Sequence, residues 1–255
     1  MLMNGATNST AAYRPCIIIP CYNHGRELAA YLPNIVCHGV PVIVTDDGSA
    51  AEDAATTAAA TQAHGATLIR LPNNRGKWHA IGHAVSYALA QGYTHALQCD
   101  ADGQHDATAI PDFLQLGEQH RNALICGTPV YGADAPTARL KGRCISNFFV
   151  RIETAGACKT DSMCGFRLYP LHTTANILQH KNIMPGMPGD IEILVHFYWL
   201  GTPVILHPVK VCYPEGGRSN FRMLRDNILI SWAHTKLCTA ALLHPWRLWK
   251  AHKPH

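Results

Sequence analysis

The chain has 255 residues, long enough for one large domain, and its 47% hydrophobic against 15% charged side chains describe a globular core, not a disordered tail. A net charge of +4 is mild and no basic run occurs, so nucleic acid is not an expected partner. Ten cysteines without a C-x-x-C pair exclude a zinc ribbon or a thioredoxin-type site, and several lie in apolar runs as small hydrophobes, which suits a reducing cytosol.

Residues 1–14 are small and polar and lack the basic and apolar regions of a signal peptide, so they are expected to be disordered. Short apolar runs then begin at Cys16-Ile17-Ile18-Ile19, Pro41-Val42-Ile43-Val44, Ala66-Thr67-Leu68-Ile69, His95-Ala96-Leu97-Gln98 and Ala123-Leu124-Ile125-Cys126. Helix-like stretches such as 27–36 and 50–63 separate them. This alternation predicts an α/β fold with a mostly parallel sheet flanked by helices. Right-handed crossovers bring the carboxyl ends of such strands to one edge, where ligands bind. In the second half, 140–154 reads as a helix, 165–169 as a short strand, 190–200 as a helix, 204–213 as a Pro-punctuated strand region and 221–249 as mostly helical.

The loops after the first four runs carry the chemistry. Asp100 and Asp102 follow the fourth; in an extended segment they face one point, and a hard divalent cation, Mg2+ or Mn2+, would relieve their repulsion. Gln104 is placed to offer a third oxygen. Asp46 and Asp47 close the second strand, where an acid either accepts hydrogen bonds from a base or ribose or caps the next helix. Asn74-Arg75-Gly76-Lys77 opens a helix whose free N–H groups and cations would suit a diphosphate. Asp190 and Glu192 start another helix; at i and i+2 only one can face a site, and Asp190 is the candidate general base.

These segments, together with Ile19-Pro20-Cys21-Tyr22-Asn23 and Asp161-Ser162-Met163-Cys164-Gly165-Phe166-Arg167, occur in an order that resembles the family 2 glycosyltransferases, and among them the dolichyl-phosphate-mannose-synthase-like group. The resemblance spans roughly residues 16 to 221. It implies a GT-A fold and an inverting transfer from a nucleotide-sugar donor to a lipid-linked or other hydroxyl or phosphate acceptor. On this resemblance Pro20, Tyr22, Asn23, Asp46, Asp47, Lys77, Asp100, Ala101 and Asp102 are the nucleotide-sugar contacts, and Asp100, Asp102 and Gln104 hold the metal. Asp190 matches the catalytic position, and Arg218, Ser219 and Arg222 are candidate acceptor or phosphate contacts. Trp78 stands where such sequences often have glycine and is expected to narrow the phosphate pocket; Asn220 replaces a lysine of the lipid-phosphate stretch. A processive Q-x-x-R-W signature is absent, which argues against a polymer synthase. A sugar nucleotidyltransferase would carry a Gly-rich loop after the first strand, in place of Pro20-Cys21-Tyr22-Asn23; a non-catalytic protein of the same fold is the other alternative.

The expected organisation is a glycosyltransferase domain at 15–221, with a nucleotide-sugar half at 15–127 and an acceptor half at 128–221, followed by a helical tail at 222–255. Trp232, Trp246 and Trp249, interleaved with basic residues, suit a bilayer interface, whereas the polar residues around the helix suit packing on the catalytic domain. The run 228–243 is too short and too polar to span a membrane. The expected location is the cytoplasm, at the cytoplasmic face of the inner membrane if the tail makes peripheral contact.

Overall fold

The computed structural model describes residues 12–132, 137–212 and 220–252, with only the backbone at 137–139. Seven strands carry the architecture: β1 (Pro15–Cys21), β2 (Val42–Asp46), β3 (Thr67–Arg70), β4 (His95–Gln98), β5 (Leu124–Tyr131), β6 (Arg167–Pro170) and β7 (Val204–Val211). They form one sheet in the order β3, β2, β1, β4, β6, β5, β7. β1 to β4 are mutually parallel; β6 runs antiparallel to both β4 and β5, and β7 is parallel to β5.

Alternation along β1 divides the interior into two layers. Cys16 and Ile18 face one side with Ile43 and Ala96, covered by α3 (Lys77–Ala90), α6 (Leu171–His180) and α7 (Pro188–Leu200). Ile17 and Ile19 face the other with Val44 and Leu97, under α1 (Gly25–Val36) and α4 (Ile110–Gln119). α1 buries Leu28, Tyr31, Leu32 and Ile35, the i, i+3, i+4, i+7 stripe of a helix with one apolar face. α7 is buried almost all round and ends at Gly201, whose φ of 71° forms the left-handed cap.

The strand order turns about at β1 and β4, the switch point at which open α/β sheets bind ligands. The loops after β1, β2 and β4 therefore converge. The far end of β7 pins the loop after β4: Asp106 N donates to Lys210 O at 3.1 Å and Cys212 N to Gln104 O at 2.9 Å. α2 (Ala51–Ala63) lies beside α1, while α5 (Thr137–Glu153), α8 (Met223–Leu243) and α9 (Trp246–Ala251) gather around α7.

Tyr13 and Arg14, inside the stretch expected from composition to be disordered, are tied to the domain. Tyr13 donates its hydroxyl to Leu114 O at 2.8 Å and sets its ring 4.9 Å from that of His95; Arg14 N donates to Thr94 Oγ1. An amphipathic phenol thus anchors the entry to β1. The helical tail likewise packs on the domain, burying Ala233, His234, Leu237 and Ala241. A buried chain joins α8 to α5: His234 lies 2.8 Å from Ser146 Oγ through Nε2 and 2.7 Å from Glu153 Oε1 through Nδ1.

Candidate active site

A cleft of about 1940 Å3 opens along the carboxyl ends of β1, β2 and β4. Its walls include Pro20, Tyr22, Asp47, Lys77, Asp100 and Ala101, and further along Asp102, Gln104, Asp190 and Arg222. Asn23 and Asp46 are not on the wall. Asn23, held at a φ of 52°, donates its N–H to Ser49 Oγ and accepts from Ala50 N at 2.9 Å, so its amide satisfies the start of α2. Asp46 is buried and accepts from Ser49 N at 3.0 Å; its other oxygen has no hydrogen-bond partner and lies 3.8 Å from Arg70 Nε. Arg218 and Ser219 lie outside the described residues.

The start of α3 is not the open anion site that its sequence predicts. Asp47 accepts from Arg75 N at 3.2 Å and Gly76 N at 2.6 Å, and Trp78 N donates to Pro185 O at 2.7 Å. An acid at the end of β2 and a carbonyl of the 181–187 loop thus consume donors that a diphosphate would have used. Gly76 permits this approach: its φ is 106°, and a Cβ there would lie 2.5 Å from Pro185 O.

What remains of that helix start is a cation. Lys77 Nζ sits 2.9 Å from Asp100 Oδ1 and 2.8 Å from Asp190 Oδ2. Burial alone would lower the ammonium's pKa, but the two carboxylates outweigh it and hold it raised. In return Lys77, helped by His105 and by Gln98 Nε2 at 3.3 Å, overcomes the burial of Asp100 and lowers its pKa to about 2. Asp102 behaves oppositely: burial and then the charge of Asp100 push its pKa up, against a hydrogen bond from Gln104 N at 3.1 Å.

Two neighbouring carboxylates, one held ionised and one disfavoured as an anion, form a site that a divalent cation would complete. Space for it exists around Asp100. A Cβ at Gly165 would sit 2.5 Å from Asp100 Oδ2 and 2.9 Å from Lys77 Nζ, so glycine keeps these groups uncovered. Among the described residues no third His, Cys, Asp or Glu completes a metal-ligating group, which leaves the neutral Gln104 on the cleft wall as the further donor.

Asp190 is fixed from two sides. Besides Lys77 at Oδ2, Trp78 Nε1 donates to Oδ1 at 3.0 Å. The indole does not narrow the cleft, contrary to the expectation from its place in sequence; it is buried, edge-on to Tyr169 at 6.0 Å, and turned into the core. Gly189 makes room for it, because a Cβ there would collide with the Trp78 ring. Gly189→Ala is therefore expected to destabilise the fold by about 1–3 kcal/mol through overpacking. The loss of melting temperature in thermal denaturation checks this.

Glu192 points elsewhere, as two residues along a helix should: it accepts from Met184 N at 2.6 Å and from Lys236 Nζ at 2.7 Å, tying the 181–187 loop to α8. Under Asp190 lies the fully buried Arg167, whose guanidinium donates to Asp190 O and Ser162 O, both at 2.7 Å. The α5 side of the cleft holds Arg143, paired with Asp161 at 2.9 Å. His105 closes the floor, its ring 5.4 Å from Phe166 and its Nδ1 buried without a hydrogen bond. These three basic side chains received no role from sequence; only the motif containing Arg167, and the histidine ending Asp100-Ala101-Asp102-Gly103-Gln104-His105, signalled two of them.

A sheet with this switch point, two carboxylates at the tip of β4 and an acid at the start of α7 define an α/β transferase of the GT-A type. The description "Glycosyl transferase family 2" matches residues 16–184, and the chain belongs to that family; it is a glycosyltransferase. The match sets aside the sugar-nucleotidyltransferase alternative. The uncharacterized protein MJ0544 of Methanocaldococcus jannaschii is 29% identical over 212 residues, covering 78% of this chain and 88% of that protein. Among solved structures, glucosyl-3-phosphoglycerate synthase from Mycobacterium tuberculosis in complex with phosphoglyceric acid shares the fold with a TM-score of 0.66 at 17% identity, over 90% of this chain and 81% of that one. The same enzyme with Mn2+, uridine diphosphate and glucosyl-3-phosphoglycerate gives 0.61 at 16% identity, over 96% and 82%.

Proposed function

We propose that this glycosyltransferase uses a nucleotide-sugar donor and a divalent metal, inverts the anomeric centre, and glycosylates a hydroxyl or phosphate of a lipid-linked or other acceptor. The observation that carries the reading is the placement of Lys77 between Asp100 and Asp190. One ammonium spans the distance from the donor's phosphate site to the base, so both ends of a displacement reaction meet in one cleft.

Tyr22 and Pro20 would flank the base and Asp47 the nucleoside, with Asp46 and Asn23 behind them shaping the loops. Asp100, Asp102 and Gln104 would hold Mg2+ or Mn2+, which when bound neutralises charge on the departing diphosphate. Lys77 and the Ala101 backbone would position that diphosphate. Asp190 would take the proton of an acceptor hydroxyl while its oxygen attacks the anomeric carbon from the face opposite the leaving group; the bond to the diphosphate breaks with its electron pair on the leaving oxygen. A phosphate acceptor is already anionic and needs no base. Arg222, beside Arg218 and Ser219 in sequence, would meet an anionic acceptor group. A solved neighbour bound to phosphoglyceric acid favours a second acceptor class, small phosphorylated acids. A Mn2+-bound neighbour supports the metal. The working location on this reading is the cytoplasm, at the inner face of the membrane that carries the acceptor.

A thermal-shift panel of UDP-, GDP- and dTDP-sugars with Mn2+ tests the donor. One of them at about 100 times its Kd should stabilise the fold by about 2.7 kcal/mol, a rise of a few degrees. No shift with any of them, with or without metal, refutes the donor class. Slow donor hydrolysis without acceptor separates an enzyme from a silent binding protein.

A further inference from the structure

Of fifteen large apolar side chains exposed among the described residues, twelve belong to three helices: four on α5, six on α8 and two on α9. On α5, Ile145, Phe148 and Ile152 are 62%, 60% and 49% exposed; on α8, Leu224, Ile228 and Trp232 are 78%, 59% and 57% exposed. Each set repeats at three or four residues, so each forms a stripe along its helix. The α5 stripe reaches the cleft at Ile145, and side chains adjoining both stripes line it. Ile145 and Phe149 of α5, with Met223 and Leu242 of α8, line the same cleft that holds Asp100 and Asp190. A soluble surface seldom leaves so many large apolar side chains bare on neighbouring helices without a partner.

Charge selects that partner. The three helices carry eight Lys or Arg against two acids, Glu153 and Asp226. Glu153 is fully buried against His234, and Asp226 accepts from Arg222 N at 2.7 Å. The exposed charges here are therefore cationic, at Lys141, Arg151, Arg222, Arg225 and Lys250. Trp246 and Trp249, 56% and 64% exposed, add the amphipathic rings that settle at headgroup depth. A second copy of this chain would set this cationic rim against itself in a two-fold interface, which like charges oppose.

We infer that the face formed by α5, α8 and α9 seats on an anionic phospholipid bilayer, with the α5–α8 groove opening into it so that an amphiphilic acceptor enters the cleft sideways. No helix among the described residues is long and apolar enough to cross a membrane, so the contact is peripheral. The Ser146–His234–Glu153 chain holds the two stripes in register. The proposal rests on the function above only for the acceptor's route; docking itself is independent of turnover.

Flotation of the full chain with vesicles tests it. The chain should rise with phosphatidylglycerol-containing vesicles, much less with pure phosphatidylcholine, and less again as salt is raised. Phe148→Ser with Ile228→Ser, and separately Lys141→Glu with Arg151→Glu, should each weaken partitioning at least about tenfold. These side chains are exposed, so unchanged circular dichroism and melting temperature are expected. Donor-dependent thermal shift should survive in both variants, which separates failure of docking from failure of the donor reading. No flotation with anionic vesicles, equal flotation with neutral ones, or a dimer in light scattering that the apolar variant dissolves would each overturn the inference.

Discussion

Asp102→Ala is expected to abolish metal-dependent donor binding while leaving the free protein as stable as before, or slightly more so. The sign follows from its surroundings. Burial and the charge of Asp100 raise the Asp102 pKa above its ordinary value, so the folded state disfavours the anion that exists at neutral pH. Its removal therefore relieves the apo fold. Asp100→Ala should behave differently: Asp100 neutralises Lys77 at 2.9 Å, and both side chains are largely buried, at 25% and 16% exposure. Losing that partner should cost about 1–2 kcal/mol, below the 3–5 kcal/mol of a fully buried pair because Asp190 still compensates Lys77. Both variants should lose turnover by about 100- to 1000-fold, the scale of removing one electrostatic stabiliser of a leaving group. Calorimetry with a nucleoside diphosphate, with and without Mn2+, and melting curves of the apo proteins supply the two readouts. Unchanged Mn2+-dependent binding in Asp102→Ala would remove this carboxylate from the metal site. Such opposite effects on stability and function mark a charge kept for its chemistry.

The strands and the acids at their tips were legible because both signals are local. Each of the five apolar runs overlaps one of β1 to β5, the fourth residue for residue, and Asp100 and Asp102 do line the cleft. The roles of the loops were less legible, since they depend on partners distant in sequence. Asp47 closes onto Arg75 and Gly76, 28 and 29 residues away, so the helix start that looked open is filled. Trp78 looks like a plug in the phosphate site until Gly189, 111 positions later, is seen to admit its ring into the core. α6 and the antiparallel course of β6 also escaped sequence reading. A four-residue strand carries no mark of its direction, which here is set by pairing Leu168 with Leu97 and Ile125. Of the two readings of the tail, packing on the domain is the one visible in the fold: α8 packs on α5 and α7 through one face, and it exposes apolar residues on another.

Asp190→Asn is expected to reduce glycosylation of a hydroxyl acceptor by about 100- to 10,000-fold, the range of a general base, with little change in donor affinity. An ionised carboxylate offers about four acceptor sites. Lys77 takes one at Oδ2 and Trp78 one at Oδ1, so lone pairs remain for an acceptor hydroxyl on the cleft wall. An amide cannot replace this arrangement: either Lys77 or Trp78 would face an NH2 group, donor against donor, at a buried site. That mismatch should cost about 1–3 kcal/mol of stability. Stability loss alone therefore does not distinguish a base from a brace, and Trp78→Phe supplies the control. It removes the indole donor and keeps the carboxylate, so it should share the drop in melting temperature but retain most of the turnover. If Asp190 serves only to anchor Lys77 and Trp78, the two variants should lose kcat in parallel and donor binding with it. If it is the base, Asp190→Asn alone should lose kcat at constant donor Kd, and an acceptor that attacks through an ionised phosphate should be spared.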